Sequence, residues 1–476
     1  MLRFRVFSND AVARSMSLDG AFLIGNDNVP VRGDLRFADG EIICEPRSRG
    51  PVALSVMWPV KGFGRLMLET TRLMERPEPY NLHVELARGR LVRISQKRED
   101  WGLFDFPEGE SLYREVDAAR DLLVEAITAP DEVTAARFGE AAVEASVLVG
   151  SRLGIFHADV FLRRRRSSNQ MGKRPFGCRV SLANLDESYI QRVSEAFDFS
   201  VVSFRWCDLE PREGENDWSR VESCLRALRN RKMHIRGCSL VSFEKSNLPH
   251  WTYLWEGDYE HMQDCLTRHL KRALTKFGSQ VHAWEIISGI HAHNDFHFTF
   301  EQLMDLTRMS AMMAKQLAPR SASIIGITLP WGEYYTLDQR TIPPMLYAEM
   351  VVRNGINFDA FGLELRFGAT GKETFVRDPM QISSMLDAFG SLGKPLHVTV
   401  VGNSVAGSRG NGAEASSVLA SFARDCYVIA LSKPFVETVT WQPPAADGTE
   451  SLSAGSSAAY REIQSLRDDI LGKSGR

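Results

Sequence analysis

The chain has little of what a secreted, membrane-bound or metal-stapled protein needs. Its seven cysteines (Cys44, Cys178, Cys207, Cys224, Cys238, Cys265 and Cys426) are scattered, odd in number and never spaced as CxxC. Neither a disulfide framework nor a zinc site is expected from that pattern. No charge-free apolar run reaches the roughly 18 residues of a membrane span. The opening stretch MLRFRVFSNDAVARSMSLDG has no apolar h-region followed by a small-residue cleavage site. Charge of one sign is not in excess either. The net charge is −3, with 25% charged and 44% apolar residues, so no global field points to nucleic acid or membrane. The expectation is a soluble, cytoplasmic protein with no nucleic-acid and no membrane partner. At 476 residues it is long for one domain, and two are expected.

What is present changes character along the chain. Residues 1–108 alternate apolar and polar positions between Gly, Asp, Asn and Pro breaks, as in GAFLIGN, VALSVMWPV and YNLHVELARGRLVRIS. That is the pattern of half-buried antiparallel strands, and it predicts a β-rich, sandwich-like domain, with a carbohydrate-binding-module-like role and a cap on the barrel both left open. In DLRFADGEIICEP, Asp39-Gly40 supplies the positive φ angles of a tight hairpin. Residues 109–170 read as a helical connector and basic linker. Leu112, Val116, Ala119, Leu122, Leu123 and Ile127 share one helical face, and Pro130-Asp131-Glu132 opens a second helix. Arg163–Arg166 then read as a solvated linker at a domain boundary, in preference to a patch for phosphate-bearing partners. From Phe176 onward, eight short apolar runs alternate with amphipathic helical segments. Eight strand–helix units predict a (β/α)8 TIM barrel over 171–447, followed by a segment 448–476 that ends in a helix.

Several spaced anchors in the second region carry a resemblance. They include Phe176-Gly177, then Arg205-Trp206 with Glu210-Pro211 and Gly214, then Arg236-Gly237 with Leu240-Val241 and Pro249-x-Trp251. Ala283-Trp284-Glu285-Ile286-Ile287, Asp359-Ala360-Phe361-Gly362, Lys394-Pro395 with Val398-Thr399, and Trp441 complete the series. In order and spacing this resembles the family-10 glycoside hydrolases, the xylanase family of retaining barrel glycosidases. The resemblance implies an acid/base glutamate after the strand AWEIIS and a nucleophile glutamate near Val398-Thr399. At those seats stand Gly289 and Val400. The family's sugar-contacting polar positions align with Val201-Val202, Cys238 and Ser242-Phe243, so the framework is kept while the polar ligands change.

Retaining hydrolysis requires two carboxyl groups about 5–5.5 Å apart, and neither glycine nor valine supplies one. Replacement acids at strand ends are Glu333, beside Trp331, Tyr334 and Tyr335, with Glu364 or Glu244 as partner. Glu364 and Arg366 sit two apart and so share a strand face; a structural ion pair is the preferred reading of them. Glu285 is expected to be structural. His291 and His293 have a clip spacing, but no third ligand follows, so no metal and no cofactor is expected. The candidate ligand-binding residues are Arg205, Trp206, Trp251, Arg366, Trp331 and Trp441. Arg205 and Arg366 together would form a cationic floor for a uronic acid. Three readings follow: a non-catalytic barrel that binds a carbohydrate, an anionic sugar or a protein partner; an O-glycosyl hydrolase with relocated carboxylates; and a structural or assembly protein using the barrel as scaffold.

Overall fold

All eight apolar runs expected from Phe176 onward form strands in the computed structural model. They are β1 (Phe176–Arg179), β2 (Phe199–Ser203), β3 (His234–Cys238), β4 (Ala283–Ser288), β5 (Ala322–Ile327), β6 (Ala360–Phe367), β7 (Leu396–Gly402) and β8 (Val436–Gln442). The structure describes every residue except 104–105, 183–184, 339, 368–375, 403–411, 444–457 and 473–476, with side chains 412–415 also left aside. Each strand pairs in parallel with the next, and β1 pairs with β8. The β3–β4 contact at Arg236↔Ala283 and Gly237↔Trp284 closes the circle, and the short strand Val241–Ser242 extends it against Ile287 and Ser288. This is a (β/α)8 TIM barrel, as the alternation of runs predicts.

Helical period explains the outer layer. In the helix Tyr259–Phe277, Met262, Cys265, Leu266, His269, Leu270, Ala273, Leu274 and Phe277 are buried, at steps of three and four. Asp258 caps the helix by accepting from the His261 N–H at 3.0 Å. Between layers, the fully buried Trp284 meets Phe204 edge to face at 4.7 Å. Gly237 makes this possible, since a Cβ there would lie 2.2 Å from the indole ring. Of the last expected segment, 448–457 lie outside the described residues, and Ala458–Leu471 is a helix.

The chain divides into two units, each with its own core. The first comprises Met1–Phe161 together with the segments 332–339 and 371–384. Two four-stranded sheets contribute apolar faces to one core, through Phe4, Ile42 and Cys44 on one and Leu23, Leu54, Val56 and Leu68 on the other. The predicted hairpin is present, with Gly33–Ala38 paired to Glu41–Pro46 and positive φ at Asp39 (51°) and Gly40 (79°).

Two readings of the sequence need correction in this region. The stretch read as a last strand is helix α1 (Leu82–Asp100), capped by Asn81. Its Leu82, Leu86, Leu91 and Ile94 match helical steps as well as alternation does, and the same core takes up Leu82 and Leu86. The second correction concerns the basic run. After α2 (Glu110–Thr128), helix α3 (Glu132–Ser167) runs through Arg163–Arg166, and the unit boundary falls inside it, between Phe161 and Leu162. Arg165 is buried rather than solvated. By length and composition α3 passes as a membrane span, but 61% of its apolar window is buried inside the protein, the property of a core helix.

Candidate functional site

Closing the barrel brings the strand ends together, and two spaces lie one above the other there. The inner one, about 40 Å³, is lined by Arg179, Cys238, Glu285, Ser288, Glu364 and Thr399 among others. It has room for water but not for a sugar ring. The outer one is an open cavity of about 710 Å³ whose lining includes Arg179, Arg205, Glu244, Ser288, Glu364, Arg366 and Gln442.

A local irregularity places the inner acid. Glu285 and Ser288 are three apart, so a regular strand would turn them to opposite faces. A register shift between Glu285 and Ile287 breaks that alternation, and both side chains line the inner space. Gly326 and Gly362 on the neighbouring strands leave the room: a Cβ at Gly326 would meet Glu285 Oε1 at 2.9 Å, and one at Gly362 would meet Oε2 at 3.3 Å. Burial raises the Glu285 carboxyl above the usual range, with Arg179 and the Ser288 hydroxyl opposing the shift. Arg179 itself donates to Gln442 Oε1 at 2.5 Å and to Cys238 Sγ at 2.7 Å. Glu285 is thus packed into the barrel's polar interior.

That burial has a consequence for stability. A carboxyl whose folded pKa is raised contributes stability below its unfolded pKa, and this contribution is lost as pH rises through the folded value. Glu285→Gln is therefore expected to be neutral or destabilising in acid and to gain stability relative to wild type as pH rises toward 8. Urea midpoints of both proteins at a series of pH values check this. A constant difference across the range would show that Glu285 is not desolvated.

The strand-end acids fall into two places. Glu364 and Arg366 form a direct ion pair. The Arg366 guanidinium is held above its ordinary pKa first by Glu364 and, against the cost of burial, by Glu244. Glu244 also accepts from Asn247 Nδ2 at 3.4 Å. Both carboxylates line the outer cavity with Arg366 between them in charge. Glu333 does not join them: it belongs to the first unit, where it is buried (5% exposed) in an ion pair with Arg377 (4% exposed). The pairing of Glu333 with Glu364 or Glu244 across one mouth is not found. Sequence could not foresee this, because Glu333 follows β5 directly and only the packing assigns it to the other unit.

The aromatic candidates are also relocated. Trp206 and Trp441 are each 1% exposed and offer no face to a ligand. Trp206 Nε1 donates to Glu210 Oε2 at 2.9 Å, and Trp251 Nε1 donates to the Glu210 carbonyl at 2.9 Å, with the two rings edge to face at 5.4 Å. Trp331 is half-buried, and none of these four rings lines the outer cavity among the described residues. Arg205 reaches the cavity, but its Nε and Nη2 bond Asp208 at 2.7 and 3.0 Å. Its charge is matched within its own turn. A cationic floor is not formed.

The two seats named by the resemblance have definite geometry. Gly289 has φ of +65°, and a Cβ there would meet Thr328 Oγ1 at 2.7 Å. On β7, His397 and Thr399 line the inner space, so strand alternation turns the fully buried Val400 outward to the helices. The neighbour that faces the mouth is Val401, in register with Arg366 and Gln442.

The histidine loop turns inward. His291 is fully buried, its Nε2 lies 3.0 Å from the Thr328 carbonyl, and burial pulls its pKa down to about 3. His297 pairs with Glu256 at 3.0 Å. Among the described residues, the side chains close enough to share an ion are Glu213, His261 and Cys265, with ligand atoms within 4.8 Å of one another. Arg268 already bonds Cys265 Sγ at 3.0 Å and Glu213 at 3.4 Å, supplying the positive charge there.

A closed parallel barrel with a water-sized interior and an open cavity at its strand C-termini is a (β/α)8 barrel, a fold that hosts many activities. The glycosyl hydrolase family 10 model matches residues 165–427. The chain belongs to that family. Among solved structures it is similar to the family-10 enzyme of Paenibacillus barcinonensis, with 15% identity over 62% of this chain and 95% of that one, at a TM-score of 0.48. Xylanase 10B of Thermotoga maritima is 14% identical over 66% and 98% of the two chains, with a TM-score of 0.47. Xylanase 10B of Thermotoga petrophila RKU-1, solved with xylobiose, is 14% identical over 64% and 97%, with a TM-score of 0.48.

Proposed function

We propose that this family-10 barrel binds a neutral carbohydrate in its outer cavity and does not hydrolyse it by the retaining mechanism. The observation that carries the reading is Gly289. Its left-handed backbone and the close approach of the Thr328 side chain disfavour an acid/base side chain at that strand end. The opposite seat is apolar whether Val400 or Val401 is counted. The acids lining the cavity are Asp208, Asp217, Glu244 and Glu364; of these, Glu364 is ion-paired with Arg366 and Asp208 with Arg205.

The lining supports a neutral ligand over an anionic sugar. Arg179, Arg205, Arg220 and Arg366 are balanced by Asp208, Asp217, Glu244 and Glu364, and hydroxyl and amide groups such as Ser203, Ser242 and Asn247 fill the gaps. Adjacent carboxylates and guanidiniums suit vicinal hydroxyls, which donate to one and accept from the other. Relocated hydrolysis by Glu244 and Glu364 is the second reading, favoured by their shared cavity.

Calorimetric titration with xylobiose, longer xylo-oligosaccharides and a glucuronic-acid-bearing analogue, alongside an aryl-xyloside assay, tests both. Saturable binding of a neutral oligosaccharide, weakened about tenfold or more by Glu364→Gln, with no turnover, is the expected result. Turnover abolished by Glu364→Gln or Glu244→Gln would establish the second reading. Preference for the acidic analogue would overturn the neutral one.

A further inference from the structure

The basic run that opens the barrel domain does not act as a linker, and its surroundings carry a second inference. At the ends of the strands opposite the outer cavity lies an open basin of about 500 Å³, where β2, β3 and β8 begin at Phe199, His234 and Val436. Its charged lining is one-sided: Arg165, Lys173, Arg174 and Arg236 against Glu437.

The two most enclosed cations have neutral hydrogen-bond partners. Arg165 donates from Nη1 to the carbonyls of Leu431 (2.9 Å) and Lys433 (2.7 Å), from Nη2 to that of Val436 (2.9 Å), and from Nε to that of Gln170 (3.2 Å). Arg236 donates from Nη1 to Thr438 Oγ1 at 2.9 Å, and its guanidinium lies 4.2 Å from the Phe199 ring centroid. Its Nε is buried with no hydrogen-bond partner. Carbonyls, a hydroxyl and a ring satisfy donors but do not neutralise charge; Glu437 acts on both guanidiniums and Glu285 on Arg236, yet burial outweighs them, and an under-compensated buried charge is costly. Burial pulls the Arg236 pKa down to about 10, and pulls that of His234 to about 4, with His282, Arg174 and Arg236 adding to the latter effect. The imidazole at the rim is then neutral near pH 7, a polar group beside the excess of guanidinium charge.

We infer that this basin is a binding site for a phosphate group, either free phosphate or the phosphate of a small organic ligand. A tetrahedral dianion supplies the missing countercharge and acceptor oxygens for several N–H donors at once. The basin also falls within the ~300–1,000 Å³ usual for small-molecule sites. This site is separate from the outer cavity and stands whether or not that cavity binds sugar.

The test uses the full chain at constant ionic strength, with inorganic phosphate and a sugar phosphate titrated by calorimetry and by thermal melting. Both should bind saturably, with Lys173→Ala/Arg174→Ala weakening binding about tenfold or more and Lys61→Ala in the other unit leaving it unchanged. Lys173 and Arg174 are exposed, so the double variant keeps the fold, which an unchanged melting curve without phosphate verifies. Equal affinities would identify a free oxyanion as the ligand; tighter binding of the sugar phosphate would identify an organic phosphate. Absence of saturable binding by either, or full binding by the double variant, overturns the inference.

Discussion

Replacing Gly289 with glutamate is expected to give a less stable protein that still fails to cleave an aryl xyloside. A non-glycine residue at φ of +65° pays a backbone penalty of about 1–2 kcal/mol. The added Cβ also arrives 2.7 Å from Thr328 Oγ1 and 3.2 Å from its Cγ2, so the Thr328 side chain must give way. Together these predict a loss of about 2–4 kcal/mol, read as a lower urea midpoint at unchanged slope. Gly289→Ala should show most of the same loss, because the cost lies in the Cβ and the backbone rather than in the carboxyl group. Adding Thr328→Ala should recover the steric part and leave the backbone part. If Gly289→Glu were as stable as wild type and hydrolysed the substrate, the seat would be an open one, and the non-catalytic reading would fall.

The second large effect lies in the first unit. Glu333 and Arg377 are paired with side chains 5% and 2% exposed, and next to them Arg90 pairs with Asp378 at 2.8 Å, with side chains 4% and 0% exposed. Arg377→Ala is expected to destabilise this unit by about 3–5 kcal/mol, because it leaves a buried carboxylate without its partner. Glu333→Leu combined with Arg377→Met should cost much less than the sum of the single changes, since both desolvated charges leave together. The segments that carry these residues are held by other bonds as well. Met67 N donates to the Val376 carbonyl at 3.2 Å, Gln381 Nε2 donates to the Met67 carbonyl at 2.8 Å, and Arg32 lies over the Tyr335 ring at 4.5 Å. Scanning calorimetry of the single and double variants measures the effect. Additive losses would show that the pair is not coupled.

The barrel was legible in the sequence because its strands are buried on both faces and read as continuous apolar runs between long amphipathic helices. The N-terminal hairpin was legible too, since Asp39-Gly40 is a turn with a local cause. Helix α1 was not, because Leu-His-Val-Glu-Leu satisfies alternation and helical steps equally over so short a span, and the core that chooses between them is made of distant residues. The basic run misled for a related reason. Arg163, Arg164 and Arg166 are exposed, as a solvated run predicts, but Arg165 is buried, and the carbonyls it reaches, at Leu431, Lys433 and Val436, lie more than 260 positions away.

For the site, the contrast is one of parity and partners. The sequence by itself determined the barrel, the family, and that Gly289 ends the strand where the resemblance puts an acid. It also determined that Glu364 and Arg366 share a strand face. Only the tertiary structure decided that a register shift turns Glu285 and Ser288 to the same side, that Val401 rather than Val400 faces the mouth, and that Trp206 and Trp251 support Glu210. It alone assigned Glu333 to the first unit with Arg377. The physical reason is common to all of these. Which way a side chain points follows from local alternation until a bulge intervenes, and which charge it meets depends on elements far apart in the chain.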